Sequence, residues 1–373
     1  MQIIAIVWTV YHISGSVILL GIVSFASQIP TFILAPFAGA LADKINRKKI
    51  LFITQTLSMI QAFILAFLAL SGAITVWHIL ILSVFLGLVN AFDIPARQAF
   101  LADMVEKKED FVNAVALNSS MFNAARLIGP SVAGVLIGLV GEGTCFLLNG
   151  ISFMAVIFAL FAMRIKDHHK KEGRLRIFKD VKEGFLYVAR HAVIRNILLF
   201  LSLLSLVSMS YPVLMPIFAK DIFKGGAREL GFLMGSIGIG ALLGTFYLCL
   251  RKNSDGLVNV TKISSFIFGF SLVMFSFSRN FWLSLFLLVW VGFGMIVQMA
   301  SSNTLLQNLT DDDKRGRVMS FYAMSFMGMA PFSGLLAGFL ASKIGAQHTI
   351  FFSGISSILS TVFFIRKLSF HKP

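Results

Sequence analysis

Asp93 and Arg97 are the residues best placed to do chemistry in this sequence. They are an acid and a base four apart, inside the apolar stretch 75–102. On a helix that spacing puts both on one face. A charge in hydrocarbon costs about 2.5 kcal/mol or more, so an ionisable residue there marks a functional position. Two readings stay open: the pair carries the coupling charge of a transport cycle, or it pairs only to lock its own helix. In the next apolar stretch Ser119, Asn123, Arg126 and Pro130 recur at steps of four, three and four, again one helical face. Arg126 has no acid within reach on that helix. Either a partner across a cavity, an anionic cargo, or a bond to a neighbouring helix satisfies it. Gln298 and Asn303, with Ser301, Ser302 and Gln307, make a third apolar stretch polar; they line a cavity or bond helix to helix. Gly129-Pro130 removes one helix hydrogen bond and is expected to kink its helix.

Enzyme chemistry finds no footing. The sequence holds no HExxH, no Ser/His/Asp set on one face, and no phosphate-cradling GxxxxGK[ST] loop. His168-His169 has no further Cys or His at ligand spacing, so no metal site is expected. No cofactor is expected either.

The elements that hold these residues follow from composition. The chain has 373 residues, 57% hydrophobic and 13% charged, against roughly 25% charged in a soluble domain. That fraction cannot cover a water-soluble globule of this size. Two cysteines, Cys145 and Cys249, exclude a disulfide scaffold. The formal net charge of +15 does not point to nucleic acid, because the basic residues lie between apolar runs, where they act as topology charges.

Continuous apolar runs of about 20 residues span a bilayer as helices. Eleven such runs are present, at about 17–41, 49–71, 75–102, 112–140, 144–163, 194–219, 228–250, 258–277, 281–308, 317–341 and 346–365. Met1–Tyr11 is apolar but covers roughly half a bilayer at about 1.5 Å per residue, and no basic segment precedes it as a secretion signal would require. It reads as the second half of a first helix, giving a natural total of twelve. Of 32 Lys and Arg, 25 fall in one set of alternate loops and five in the other, with Arg97 and Arg126 inside the spans. That bias puts both termini on the cytoplasmic side of the membrane.

The fold expected is therefore all-α: a polytopic membrane protein of two six-helix bundles, 1–165 and 194–373, joined by a cytoplasmic amphipathic linker at 166–193. In that linker Phe178, Val181, Phe185 and Val188 repeat at helical spacing; it lies on headgroups or is a solvated linker. The halves echo each other in Arg126-Leu127-Ile128-Gly129-Pro130 and Gly328-Met329-Ala330-Pro331, the helix-breaking symmetry of alternating-access transporters. Small residues four apart, such as Gly240 and Gly244, suit close helix packing. The partners expected are lipid, a small-molecule substrate and protons; the chain is expected to act as a monomer.

The loop Gly39-Ala40-Leu41-Ala42-Asp43-Lys44-Ile45-Asn46-Arg47-Lys48-Lys49 resembles the cytoplasmic loop motif of the major facilitator superfamily. Asn46 stands where that motif has its second glycine, and Asn tolerates a left-handed turn. Asp43 and Arg47 are four apart, the spacing of one helical turn. Asp93-Ile94-Pro95-Ala96-Arg97-Gln98, Asn123-Ala124-Ala125-Arg126 and Glu183-Gly184-Phe185-Leu186-Tyr187 resemble the enterobactin-exporter and macrolide-efflux-like branch. The likeness runs from Met1 to about Leu368. It implies that Asp103 completes a cytoplasmic charge cluster with Asp43 and Arg47, a gate that holds one state and breaks as the halves rock. It also implies that Gly129-Pro130 matches, in part, a helix-five motif of antiporters, and that the first half of helix one is missing. The function it implies is secondary export of amphiphilic small molecules, of drug or siderophore type, by proton antiport, with Asp93 as the main acid inside the spans. The alternative is a non-transporting membrane protein, a sensor or inactive remnant, since half a first helix would open the cavity wall.

Overall fold

The computed structural model describes residues 1–42, 45–105, 111–163, 177–208, 211–251, 256–311, 314–326 and 328–369. All its regular elements among these are helical. Nine helical stretches among them are long and apolar enough to cross a membrane, and Gln2–Ser14 is a shorter apolar helix. The sequence count of eleven exceeds nine at two places. The stretch Ile128–Ala162 counts once although it holds a break, and the helix Ala346–Ser369 is not among the nine.

The chain divides into two compact units, Met1–Leu175 and Arg176–Pro373. The first holds α1 (Gln2–Ser14), α2 (Val17–Ala42), α3 (Arg47–Leu70), α4 (Val76–Asp103) and α5 (Phe111–Ala162). Local chemistry sets the ends. Gly15 closes α1 in the left-handed region, φ 59°, its N–H donating to the Tyr11 carbonyl at 2.9 Å. Thr75 caps α4 by accepting from the His78 N–H, and the His78 ring reaches back to the Thr75 N–H.

A straight α5 of 52 residues would be about 78 Å long, more than twice a bilayer core. It instead breaks at Gly141, φ 82° and ψ 167°, a conformation only glycine adopts without strain. The chain reverses there: Gly129, before the break, lies 3.9 Å from the Met1 amine by its Cβ position, and Asn149, after it, donates to Gln2 at 2.6 Å. Helical dihedrals run on through Gly129 and Pro130; the interruption of α5 falls twelve and eleven residues later, at Gly141.

The second unit holds α6 (Ile177–Arg190), α7 (Ala192–Ser208), α8 (Tyr211–Ile217) with a π-helical turn at Phe218–Ile222, α9 (Ala227–Cys249), α10 (Leu257–Phe277), α11 (Phe281–Leu309), α12 (Arg315–Phe326), α13 (Ala330–Ile344) and α14 (Ala346–Ser369). Two spans are broken helices, α7/α8 and α12/α13, the second with Pro331 in the first turn of α13. The break frees the Phe326 carbonyl, and Ser205 on α7 donates to it at 2.7 Å, the substitution lipid would otherwise make costly. The amphipathic α6 packs on α7 and α12. Its Tyr187 hydroxyl donates to Asp311 at 3.0 Å, and the His191 ring lies 4.0 Å from the Tyr187 ring.

Helices meet at glycines. A Cβ on Gly240 of α9 would overlap the Val289 carbonyl of α11, and one on Gly292 would overlap the Ile237 carbonyl of α9. A Cβ on Gly269 of α10 would sit 2.9 Å from the Gly354 carbonyl of α14. Gly316 is the contrast, with nothing near. Gly292→Ala should therefore destabilise the chain by about 1–3 kcal/mol through forced helix separation, whereas Gly316→Ala should be neutral or stabilise by up to about 1 kcal/mol. Thermal unfolding of the purified variants measures both; equal melting temperatures would sink the packing argument.

Candidate functional site

Asp93 lies on α4, ten residues or about 15 Å from the helix end. It is 5% exposed. Four donors meet its carboxylate. Oδ1 accepts from Thr54 Oγ1 at 2.8 Å and Gln55 Nε2 at 2.7 Å, both on α3. Oδ2 accepts from Arg97 Nε at 3.1 Å and Nη2 at 2.7 Å. Each carboxylate oxygen thus accepts two hydrogen bonds, and Arg97 grips one oxygen through two N–H groups. The Arg97 side chain is 57% exposed against 7% for Asp93. The structure brings these two sequence candidates together as a charge pair with one buried end and one open end.

Thr54 and Gln55 are residues the sequence reading missed. Their signal was available: two adjacent polar residues in the apolar run 49–71, both under 5% exposed. They matter because a buried carboxylate needs neutral donors as well as a counter-charge.

At the end of α4, Arg47 Nη1 donates to Asp103 Oδ1 at 2.8 Å and to the Ala99 carbonyl at 3.2 Å. The pair ties the start of α3 to the end of α4, with side chains 27% and 20% exposed. Asn46 departs from expectation. Its φ of −55° and ψ of 115° are not left-handed; it is the N-cap of α3, its side chain accepting from the Lys49 N–H at 3.1 Å. A cap bond to an unpaired helix donor replaces the expected turn. It also interrupts the single helical turn expected from Asp43 to Arg47, since Asn46 is not helical. Asp43 itself lies outside the described residues, as do the surroundings of Gly39 and the side chains of Ser119, Asn123 and Arg126. His168 and His169 lie outside them too.

On α11, Gln298 is 1% exposed and donates to Ser302 at 3.4 Å, while its Oε1 and the Ser301 hydroxyl find no hydrogen-bond partner among the described residues. Asn303 accepts from Gln307 at 2.5 Å on the same helix. Both belong to the second unit, whereas Asp93 belongs to the first. A further network was not foreseen. Gln2 of α1 donates to Gln61 of α3 at 2.6 Å, Asn149 of α5 donates to Gln2, and Gln61 reaches the Leu82 carbonyl of α4 at 3.3 Å. This chain of amides stitches four helices where lipid offers no hydrogen bonds. Among the described residues no group of three or more His, Cys, Asp or Glu could hold a metal.

A solved bacterial homologue of the lysosomal transporter Spinster covers 99% of this chain and 92% of its own, with a TM-score of 0.69 at 14% identity. The nucleoside transporter NupG (D323A mutant) covers 98% of each chain at 13% identity, TM-score 0.74. These share the fold. In sequence, the Staphyloferrin A transporter of Staphylococcus aureus is 30% identical over 359 residues, 96% of this chain and 89% of that protein. The multidrug efflux pump Tap of Mycolicibacterium fortuitum is 24% identical over 93% of this chain and 86% of its own. The family of transmembrane secretion effectors matches residues 1–370. With a charge pair buried in helices that cross a membrane and this match over the whole length, the chain belongs to the transmembrane secretion effector family of the major facilitator superfamily, a multi-pass membrane transporter.

Proposed function

We propose that this transporter is a secondary exporter of amphiphilic small molecules that exchanges cargo for protons by alternating access, with Asp93 as the proton site. The observation that carries the reading is the buried Asp93 carboxylate with its half-exposed counter-ion. Protonating Asp93 changes the pair from neutral to a charge of one, because Arg97 keeps its proton at any physiological pH. The added positive charge weakens the hold on a cationic cargo, so proton and cargo compete, as exchange requires. The efflux relatives, Tap among them, support the outward direction. The Lys and Arg bias of the loops supports both termini cytoplasmic in a bacterial inner membrane. In this reading Arg47 and Asp103, with Asp43 and Gly39 of the same loop, gate the cytoplasmic side. Nothing in the reading calls for an enzymatic step or a cofactor, and one chain suffices as the working unit.

Asp93→Asn should abolish proton-driven efflux while the protein stays in the membrane, measured as accumulation of a panel of labelled amphiphiles in cells with and without the variant. Undiminished efflux would remove Asp93 from the coupling role. Separately, Arg97→Gln should destabilise the fold by leaving a buried charge unpaired. The double variant Asp93→Asn/Arg97→Gln should recover most of the loss. A coupling of about 1–3 kcal/mol is expected in a double-mutant cycle of unfolding free energies, less than for a fully buried pair because Arg97 is half exposed. Additive losses would show that the pair contributes nothing.

A further inference from the structure

We propose that the Asp93–Arg97 pair takes up one anionic group and one proton jointly, whereas a cationic group and a proton exclude each other there. This rests on the reading of Asp93 as the proton site and extends it to the class of ligand that Arg97 accepts.

The asymmetry of the carboxylate carries the argument. Oδ1 is fixed by two neutral donors from α3, Thr54 and Gln55. Placing a proton there would displace at least one of these donors. Oδ2 is held by Arg97 alone, so departure of the guanidinium leaves that oxygen open to a proton. Arg97 is the open end of the pair: beyond Asp93 its N–H groups have no other partner among the described residues, and its side chain is 57% exposed. A planar fork of donors with that exposure matches a carboxylate, phosphate or sulfonate group. An anion that takes the two N–H groups now spent on Oδ2 leaves Asp93 5% exposed without its counter-charge. A buried carboxylate in that position protonates instead of remaining charged.

The charge count favours the joint event. The empty pair is neutral. Loaded with one anion on Arg97 and one proton on Oδ2, the site is neutral again. An anion without the proton leaves it at minus one, and a cation with the proton at plus two, both costly in a low-dielectric interior.

Few other titratable groups compete. On α4 the nearest acid, Asp103, is engaged by Arg47. Among the helices packed against α4, α2 carries no charged residue within Val17–Ala42. The α3 cations Arg47, Lys48 and Lys49 cluster at its start. His12 is the one titratable side chain of α1 besides Tyr11 and lies 3.7 Å from Glu142 of α5; Arg126 of α5 has its side chain outside the described residues.

The test uses the purified full chain in detergent, with dansylglycine as the anionic probe and ethidium as the cationic one, in lightly buffered solution with a pH indicator. Dansylglycine binding should take up a proton and tighten by about tenfold per pH unit as the pH falls through the window in which the empty pair is unprotonated and the loaded pair is protonated; ethidium binding in that window should take up no proton and should not tighten as the pH falls. Asp93→Asn should bind dansylglycine tightly and without pH dependence. Arg97→Gln should lose dansylglycine and keep ethidium. Arg97→Lys, which keeps the charge but not the fork, should weaken dansylglycine and keep its pH slope, and it serves if Arg97→Gln fails to fold. Dansylglycine binding that is flat with pH or weakens as pH falls, or that survives Arg97→Gln, overturns this inference and leaves the exporter standing. Failure of both probes to bind overturns the exporter reading as well.

Discussion

Lipid donates and accepts no hydrogen bonds, and every polar group this chain sends between its membrane helices has to bring its own partner. The Asp93 carboxylate shows how far that demand reaches. It draws two neutral donors from one helix and a forked cation from its own, so α3 and α4 are fixed in register by one side chain. The amide chain of Gln2, Gln61 and Asn149 obeys the same rule without charge. So does Ser205, which fills the carbonyl left open where the helix breaks between α12 and α13. Where no polar group is at stake, close approach takes over, and Gly240 and Gly292 let two helices touch backbone to backbone.

Much of this was legible in the sequence. Composition and the length of the apolar runs declare a helical membrane protein, and the four-residue spacing of Asp93 and Arg97 declares a pair. Thr54 and Gln55 were not singled out, because a polar residue in one helix carries no mark of which neighbour it will face. The amides Gln2, Gln61 and Asn149 are 59 and 88 residues apart in sequence, and only packing joins them. Asn46 was misread for a local reason. Its side chain can serve a left-handed turn or a helix cap, and the free N–H groups at the start of α3 decide for the cap. The division between the runs 112–140 and 144–163 was legible, and the break at Gly141 falls in that gap.

Under the proposed function, the charge pair links structure to transport through its two unequal ends. A fully buried pair would lock helices and nothing more; a fully exposed one would be screened by water and contribute little. In that proposal, burial of the acid gives its charge weight in the interior, and exposure of the base leaves the counter-charge open to an incoming ligand. The site therefore has the form of a switch with one concealed contact and one accessible contact.

The hairpin turned by Gly141 has a practical corollary. Where most neighbouring spans are separated by several polar residues, the fifth and sixth offer a single glycine, with helix on either side. That rim presents no segment for a protease to grip, an antibody to recognise or a sugar to modify. An epitope tag inserted there would have to unwind a helix, so topology mapping of this molecule has to be anchored at its other loops.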